Sequence, residues 1–166
     1  MNRNSDRNCM HLDNITTICV VGLGYVGLPL AVALSRQFTV IGYDVDSNRV
    51  TDLQNGIDAT KEVEPFYLRQ EKQLTFTTHL SDIRGCNVYV VTVPTPIDQN
   101  RQPDLGPLIH ASRALGTIIK KGDIIIYEST VFPGATEEYC VPALEKTSAL
   151  KFNEDFTVGY SPERIN

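Results

Sequence analysis

The sequence lacks an excess of positive charge. Its 166 residues carry 15 lysines and arginines against 20 aspartates and glutamates, which gives a formal net charge of -5 at pH 7. Domains that bind nucleic acid or dock on anionic membranes usually present a basic patch. We therefore expect the partners of this chain to be small molecules or proteins, with neither nucleic acid nor membrane among them.

Cysteine is also scarce, and its spacing does not match the common metal and redox motifs. The four cysteines, at positions 9, 19, 86 and 140, form no CxxC pair and have no histidine at metal-ligand spacing. We interpret them as small apolar side chains in a reducing compartment. The sequence thus predicts no metal site, and neither Cys19 nor Cys140 has the surroundings of an activated nucleophile.

An apolar export signal is missing from the first residues. Residues 1–14, MNRNSDRNCMHLDN, are polar, so we expect a flexible leader there and a cytoplasmic location. The uncharged stretch Ile15–Leu34 has about the length of a membrane span. Because it contains three glycines, Pro29 and two threonines, it fits a buried strand followed by a helix better.

Strand and helix patterns alternate from residue 15 to the end of the chain. The predicted strands are Ile15–Val21, Phe38–Tyr43, Leu74–Thr77, Val88–Val93, Ile124–Glu128 and Phe156–Tyr160. The predicted helices are Tyr25–Gln37, Asp46–Leu53, His79–Arg84, a helix from Pro103 or Asp104 to Ile119, and Pro133–Thr147, interrupted at Pro142. This alternation predicts one α/β domain over 15–166, a doubly wound parallel sheet of about six strands with helices on both faces.

A glycine-rich turn, Gly22-Leu23-Gly24-Tyr25-Val26-Gly27, joins the first predicted strand to the first predicted helix. In a dinucleotide-binding unit, the first glycine makes the tight turn, the second lets a pyrophosphate approach the backbone, and the third lets the helix lie against the strand. The amides that open the helix then face the negative charge. The same spacing also occurs at helix starts that bind nothing, but the strands on both sides favour a dinucleotide.

The second predicted strand is followed by Asp44, about 20 residues beyond the glycine turn. A carboxylate at this place accepts hydrogen bonds from the adenosine ribose and repels the additional phosphate of NADP. Arg49 lies close by in sequence and could attract that phosphate. On balance the sequence predicts NAD as the cofactor.

Further polar residues follow the later strands, and parallel pairing would bring them to the same edge of the sheet. After the fourth strand, Val93 opens a rigid turn in which Thr95 presents a hydroxyl, unless that threonine serves the turn alone. After the fifth, Thr130 is either a ligand contact or part of a helix cap. Glu163, after the sixth, is either a general acid or base or a surface carboxylate paired with an arginine.

Five segments resemble, in order and spacing, the N-terminal domain of the UDP-glucose/GDP-mannose dehydrogenase family. They are GLGYVGLPLA, YDVDSNRV, VPTP, ESTVFPG and YSPERIN, and the resemblance covers Thr16–Asn166. The segment GIDATKEV at 56–63 and the SPERIN ending look most like the branch that oxidises UDP-N-acetylhexosamines for polysaccharide synthesis. The resemblance implies oxidation of the C6 alcohol of a nucleotide sugar to a carboxylate, with two NAD+, one water and a thiohemiacetal on a cysteine.

The resemblance also implies roles for individual residues. The implied cofactor contacts are Gly22, Gly24, Tyr25, Val26, Gly27, Asp44, Arg49, Val93, Thr95 and Thr130. In the same way, Glu163 would work with an ordered water in acid and base steps, and Thr130 would help to place that water. The sugar-contacting loop would begin at Glu163, Arg164 and Asn166.

The resemblance has one large gap. The family's nucleophilic cysteine, with its partner lysine, asparagine and aspartate, belongs to a central helix and C-terminal domain that are absent from these 166 residues. We therefore expect this piece to bind NAD without completing the oxidation, and expect the full-length enzyme to form a homodimer. Two alternatives stay open: a non-catalytic NAD-sensing module, and another Rossmann enzyme such as a 3-hydroxyacyl-CoA or 6-phosphogluconate dehydrogenase. The latter would not predict ESTVFPG followed by SPERIN.

Overall fold

Six parallel strands form one sheet in the computed structural model of the chain, which describes residues 17–97 and 103–161. The strands are β1 (Thr17–Val21), β2 (Thr39–Tyr43), β3 (Leu74–Thr77), β4 (Val88–Val91), β5 (Ile124–Glu128) and β6 (Thr157–Ser161). Their order is β3-β2-β1-β4-β5-β6, and every neighbouring pair is parallel. This is the strand order of a doubly wound dinucleotide-binding sheet, so the predicted fold class is confirmed.

Helices cover both faces of the sheet. They are α1 (Gly27–Ser35), α2 (Ser47–Gln54), α3 (Pro65–Gln70), α4 (Gly106–Gly116) and α5 (Val141–Ser148), and a π-helical turn at Thr136–Cys140 leads directly into α5. The first three helices contribute to one hydrophobic core, and α4, the π-helical turn and α5 to the other. Two faces with two cores are what a parallel sheet with crossover helices requires.

The apolar run of β1 divides between the two cores by simple alternation. Ile18 and Val20 face the core under α1, whereas Cys19 and Val21 face the core under α4. A strand covered on both sides has no polar positions to alternate with. The predicted interpretation of the uncharged stretch as a strand followed by a helix is confirmed, with the strand at Thr17–Val21 and the helix at Gly27–Ser35. Over 17–97 and 103–161, no helix combines the length and apolarity that a membrane crossing needs.

The predicted helix at His79–Arg84 is wrong, because the structure has successive turns there. Asp82 accepts a 2.6 Å hydrogen bond from the hydroxyl of Thr77, and that same hydroxyl accepts one from the amide of His79. Side-chain bonds of this local kind compete with helical backbone bonds. The backbone bonds that remain, such as Asp82 N to His79 O, span only three residues.

Other helices also differ from the sequence pattern. The first helix, α1, covers Gly27–Ser35 and is shorter at both ends than the predicted Tyr25–Gln37. The short helix α3 was not predicted; only Leu68 of it is buried, and Pro65 at its first turn is the signal that was available. The helix expected to reach Ile119 ends at Gly116. The predicted break at Pro142 takes the form of the π-helical turn before it, and the proline itself stands in the first turn of α5, where its missing N–H costs nothing.

Candidate functional site

A cleft of about 1150 Å³ runs along the carboxyl edge of the sheet. The loops after β1, β2, β4 and β5 line it, together with one side of α4. It brings together most of the predicted cofactor residues, namely Gly22, Gly24, Tyr25, Val26, Asp44, Val93, Thr95 and Thr130. The predicted residues Gly27 and Arg49 do not line the cleft but contact residues that do, as described below.

The turn after β1 is held by residues of the neighbouring strands. Gly22 has a φ of +94°, a left-handed conformation that favours glycine. Its amide donates a 2.8 Å hydrogen bond to the carbonyl of Tyr43 at the end of β2. From the other side, the buried hydroxyl of Thr92 is bonded to the Gly22 carbonyl at 2.7 Å and to the Val21 carbonyl at 3.1 Å. The first residues of the glycine motif are therefore fixed from both sides.

The other two motif glycines have opposite surroundings. A Cβ at Gly27 would collide with the carbonyl oxygen of Gly22 and the hydroxyl of Thr92, so only glycine lets α1 begin this close to the turn. A Cβ at Gly24 would meet no atom within 4 Å. Since Gly24 lines the cleft, the space in front of its backbone is open to a ligand. Gly27 is therefore needed for the packing of α1 against the turn, and Gly24 leaves space for a ligand to approach the backbone.

The start of α1 has the character of an anion site. Val26 is the N-cap residue and offers no side-chain hydrogen bond, and the first turn carries no acidic side chain. The first amides of a helix have no partner within the helix and carry its partial positive charge. The Leu28 amide donates to the Gly24 carbonyl at 3.2 Å, and the lining of the cleft reaches the N-cap residue Val26. A pyrophosphate is the kind of group that the start of a helix binds.

Asp44 is fixed against the glycine turn by both carboxylate oxygens. Oδ2 accepts a 2.7 Å hydrogen bond from the amide of Leu23, and Oδ1 accepts one of 3.0 Å from the amide of Asp46. A carboxylate offers about four acceptor positions, so these two bonds leave room for others. Asp44 lines the cleft, and it can therefore accept from ribose hydroxyls without giving up its backbone bonds.

Arg49 also bonds to Leu23, the residue whose amide donates to Asp44. Its Nε donates a 2.9 Å hydrogen bond to the carbonyl of Leu23, and its Nη1 forms a 2.7 Å ion pair with Asp58. The side chains of this pair are 11% and 1% exposed, respectively. Burial opposes ionisation of Asp58, but bonds from Thr60, Val63 and Arg49 outweigh it and lower the pKa of Asp58 to about 2. Arg49 is thus half of a buried ion pair.

The loops that follow β4 and β5 are tied to each other and to β6. The hydroxyl of Thr95 donates a 3.1 Å hydrogen bond to the backbone carbonyl of Thr130. The hydroxyl of Tyr160 donates a 3.2 Å bond to the carbonyl of Val131. These links fix the relative positions of two predicted site residues, Thr95 and Thr130, at one end of the cleft.

Thr92 and Ser129 are cleft residues that were not among the sequence predictions. Thr92 holds the glycine turn, and its signal was a polar residue at the end of the apolar run VYVV. Ser129, the residue before Thr130, lines the cleft but is only 3% exposed. Within the part of the chain that the structure describes, its hydroxyl has no hydrogen-bond partner. A buried hydroxyl without a partner is costly, and a bound polar ligand would relieve that cost.

The three substrate residues predicted from the sequence, Glu163, Arg164 and Asn166, lie outside the described residues. Their roles stay predictions. The strand that leads to them, β6, pairs in parallel with β5 and ends at Ser161. Its carboxyl end is therefore at the same edge of the sheet as the cleft.

The cysteines of the described ranges are unsuited to nucleophilic attack. Cys19, Cys86 and Cys140 are all buried and unpaired. Burial raises the pKa of Cys19 and of Cys140, which disfavours the reactive thiolate. The hydrogen bond with Cys19 lowers the pKa of Cys86, but the Cys86 side chain is fully buried and does not line the cleft. Across 17–97 and 103–161, no group of three or more histidine, cysteine, aspartate or glutamate side chains is placed to hold a metal ion.

The chain is similar over most of its length to longer proteins. It is 60% identical to the UDP-N-acetyl-D-glucosamine 6-dehydrogenase of Pseudomonas aeruginosa and 53% identical to that of Salmonella typhi, in both cases over 90% of this chain. It spans 35% of the length of each of these relatives.

Solved structures show the same relationship in three dimensions. The UDP-D-ManNAc dehydrogenase of Pyrococcus horikoshii matches 91% of this chain with a TM-score of 0.83 and 32% identity, and this chain covers 37% of it. The GDP-mannose dehydrogenase of Pseudomonas aeruginosa matches 90% with a TM-score of 0.82 and 32% identity, and 36% of its chain is covered. Residues 16–166 also match the model of the UDP-glucose/GDP-mannose dehydrogenase family, NAD binding domain. The chain therefore belongs to this family and represents its NAD-binding domain.

Proposed function

We propose that this chain is the NAD-binding part of a dehydrogenase that oxidises the C6 hydroxymethyl group of a UDP-N-acetylhexosamine to a carboxylate. The names of the relatives at 60% and 53% identity support this substrate class. The chain spans 35% of those proteins, so the remaining two thirds of the relatives' length would supply most of the sugar site. The three described thiols are buried and form no disulfide, which supports a location in the reducing cytoplasm. We also propose that the full-length enzyme is a homodimer, and we make no such proposal for these 166 residues alone.

The observation that carries the proposal is the fit of the cleft to a dinucleotide. Gly24 leaves open the space that a pyrophosphate needs, at the start of an uncapped helix. Asp44 stands beside it with its carboxylate oriented by two backbone amides. After β5, the buried hydroxyl of Ser129 has no hydrogen-bond partner among the described residues. Asp44 follows β2, Gly24 follows β1 and Ser129 follows β5. Along the sheet edge, the ribose acceptor, the open backbone and the buried hydroxyl therefore occur in the order of the adenosine ribose, the pyrophosphate and the nicotinamide ribose of NAD.

The chemistry that NAD+ would supply when bound is the acceptance of a hydride from the C6 carbon of the sugar. The backbone at Gly24 and Val26 would hold the pyrophosphate, and Asp44 would accept hydrogen bonds from the adenosine ribose. The bonds from Arg49 to Leu23 and Asp58 fix the glycine turn, to which Asp44 is hydrogen-bonded. The direct ribose contact that the resemblance implies for Arg49 stays a prediction.

Oxidation of an alcohol to a carboxylate removes two hydrides and consumes one water, so two NAD+ are used in turn. We assign the placing of that water to Thr130, whose loop is held by Thr95. Glu163 would accept a proton from the alcohol, release it, and later accept one from the water, because it follows β6 in sequence and β6 ends at the edge of the sheet that holds the cleft. The cysteine that holds the intermediate would belong to the part of the relatives that this chain does not span, since the described thiols are buried.

The proposal separates binding from turnover, and both can be measured. The 166-residue chain should bind NADH saturably, and it should produce no sustained NADH when supplied with NAD+ and UDP-N-acetylglucosamine. Joined to the remaining two thirds of the Pseudomonas aeruginosa relative, it should oxidise UDP-N-acetylglucosamine in preference to UDP-glucose, and Glu163→Gln should abolish that activity. A folded chimera that binds NADH but oxidises no nucleotide sugar would refute the assignment.

A further inference from the structure

Glu128 is an acidic residue of the cleft that takes no part in the binding and proton transfer described above. It is the last residue of β5, and its backbone pairs in register with Ser161 of β6. It is half-buried and lines the cleft directly before Ser129 and Thr130. Ile126 of the same strand packs against the core under α1, so by alternation Glu128 faces the side of the sheet on which α1 lies. Its backbone position in the cleft is therefore fixed by the sheet.

The charged side chains of the cleft are predominantly acidic. Among the described residues that line it, the acids are Asp44, Asp104 and Glu128, and the only base is His110. Asp44 is bonded to the glycine turn after β1, and Asp104 accepts a 2.8 Å hydrogen bond from the amide of Gly106 at the start of α4. Each acid thus belongs to a different part of the cleft, and Glu128 is the one at the end of β5.

The end of β5 belongs to the half of the sheet that would face the nicotinamide. A doubly wound sheet consists of two mononucleotide-binding halves, here β1 to β3 and β4 to β6. The first half carries the glycine turn and Asp44, which fit the pyrophosphate and the adenosine ribose. In the second half, the buried hydroxyl of Ser129, next to Glu128, has no partner among the described residues. That hydroxyl indicates a polar ligand group beside Glu128.

The two redox states of the cofactor differ in charge at the nicotinamide ring. The ring is positively charged in NAD+ and neutral in NADH, whereas the two riboses and the pyrophosphate are the same in both. A carboxylate attracts a nearby positive charge, and the attraction is stronger where the pair is partly shielded from water. A half-buried acid beside the ring therefore distinguishes the oxidised cofactor from the reduced one.

We propose that Glu128 is a specificity-determining residue for the redox state of the cofactor and increases the affinity of the cleft for NAD+ relative to NADH. The inference rests on the proposed function and deepens it. Oxidation of an alcohol to a carboxylate uses two NAD+ in turn, so NADH must leave and a second NAD+ must enter while the sugar is half oxidised. A carboxylate that favours NAD+ promotes this exchange.

The test is the ratio of the dissociation constants for NADH and NAD+, measured by calorimetric titration of the 166-residue chain. Glu128→Gln keeps the size of the side chain and removes its charge, and should lower this ratio about fivefold, mainly through weaker binding of NAD+. Glu128→Asp keeps the charge, and its ratio should stay closer to that of the wild type. ADP-ribose lacks the nicotinamide ring, so its affinity should not fall in Glu128→Gln.

Asp155→Asn is the matched control for the change in net charge. Asp155 pairs with Lys121 at 2.8 Å and precedes β6 at the opposite edge of the sheet, so its ratio should equal that of the wild type. The proposal is overturned by a folded Glu128→Gln with an unchanged ratio or by an equal fall in Asp155→Asn. It is also overturned if Glu128→Gln loses affinity for ADP-ribose as much as for NAD+, because the role of Glu128 would then be structural.

A second variant keeps the proposal testable if Glu128→Gln does not fold. Threonine suits a strand and also lacks the charge, so Glu128→Thr should lower the ratio of the dissociation constants by a similar factor. An unchanged ratio in folded Glu128→Thr would then contradict the proposal. Failure of the wild-type chain to bind either NAD+ or NADH would instead contradict the proposed function, so the two ideas can fail separately.

Discussion

The hydroxyl of Thr92 donates a 2.7 Å hydrogen bond to the carbonyl of Gly22, from the residue after β4 to the turn after β1. This contact fixes the glycine turn to the central strand pair of the sheet. The same hydroxyl is one of the two groups that a side chain at Gly27 would strike. The two glycines and the threonine therefore form one packed unit beneath the proposed pyrophosphate site.

Thr92→Val should weaken both the fold and cofactor binding. Valine keeps the shape but leaves the Gly22 carbonyl without this donor, which should cost about 1 kcal/mol of unfolding free energy. NADH affinity should fall several-fold because the turn is less fixed. Thr51→Val is the control, since the Thr51 hydroxyl bonds only to the carbonyl of Ser47 on the exposed side of α2. Urea unfolding and NADH titration measure both effects, and wild-type NADH affinity in folded Thr92→Val would contradict the role of this contact.

Gly27→Ala should destabilise the chain although it lies in a helix. Helix propensity alone predicts a gain of up to about 1 kcal/mol for this change. The collision with the carbonyl of Gly22 should outweigh that gain and give a net loss of about 2 kcal/mol or more. At Gly159 in β6 an added Cβ makes only ordinary contacts with Ile126, 3.6 Å away, so Gly159→Ala should be close to neutral. A stabilised Gly27→Ala would show that α1 does not need this close approach.

Ser129→Ala should separate cofactor binding from stability. Because the described residues give the Ser129 hydroxyl no partner, its removal should leave the free chain as stable as before, or more so. NADH affinity should fall about fivefold if the cofactor is the missing partner.

Ser112→Ala is the matched comparison for this prediction. The Ser112 hydroxyl is fully buried and bonds to the Leu108 carbonyl and the Tyr127 hydroxyl, away from the lining of the cleft. Its loss should therefore reduce stability and leave the intrinsic NADH affinity intact. Thermal melts with and without NADH distinguish the patterns. Equal NADH affinity in wild type and Ser129→Ala would show that the Ser129 hydroxyl does not contact the cofactor.

The ion pair of Asp58 should make the fold sensitive to acid. The pKa of Asp58 is lowered from 3.8 to about 2 in the folded chain, so between these values the unfolded state binds more protons. The stabilisation, about 2 kcal/mol, is complete above pH 5 and is lost as the pH falls from 4 toward 2. Asp58→Asn should flatten the pH dependence of the unfolding free energy in this window. Asp155→Asn should flatten it less, because Lys121 in its ion pair is 77% exposed.

The sequence predicts the sheet and the front of the cleft well because both depend on local patterns. Runs such as VYVV and IIIYE are strands whatever surrounds them, and parallel pairing then brings their ends to one edge. The spacing from Gly22 to Asp44 is fixed by the length of one helix and one strand. These features were available before any coordinates.

What lies behind the cleft could not be predicted in the same way. Arg49 and Asp58 are nine residues apart across a loop without periodicity, and their pairing depends on how that loop closes. The orientation of the Ser129 hydroxyl depends on the end of β5, where Glu128, Ser129 and Thr130 offer several polar groups. At residues 79–84 the helical pattern gave way to side-chain bonds between Thr77 and Asp82. In each case a contact between specific side chains decided the outcome.

The most direct test of the account is the titration of NADH into the wild-type chain, Gly24→Ala and Gly85→Ala. A Cβ at either glycine meets no protein atom within 4 Å, so both variants should fold normally. Only Gly24 lines the cleft. The account predicts saturable NADH binding by the wild type and Gly85→Ala, and an affinity about tenfold lower for Gly24→Ala, whose methyl group enters the pyrophosphate space. Equal NADH affinity in all three chains would contradict it.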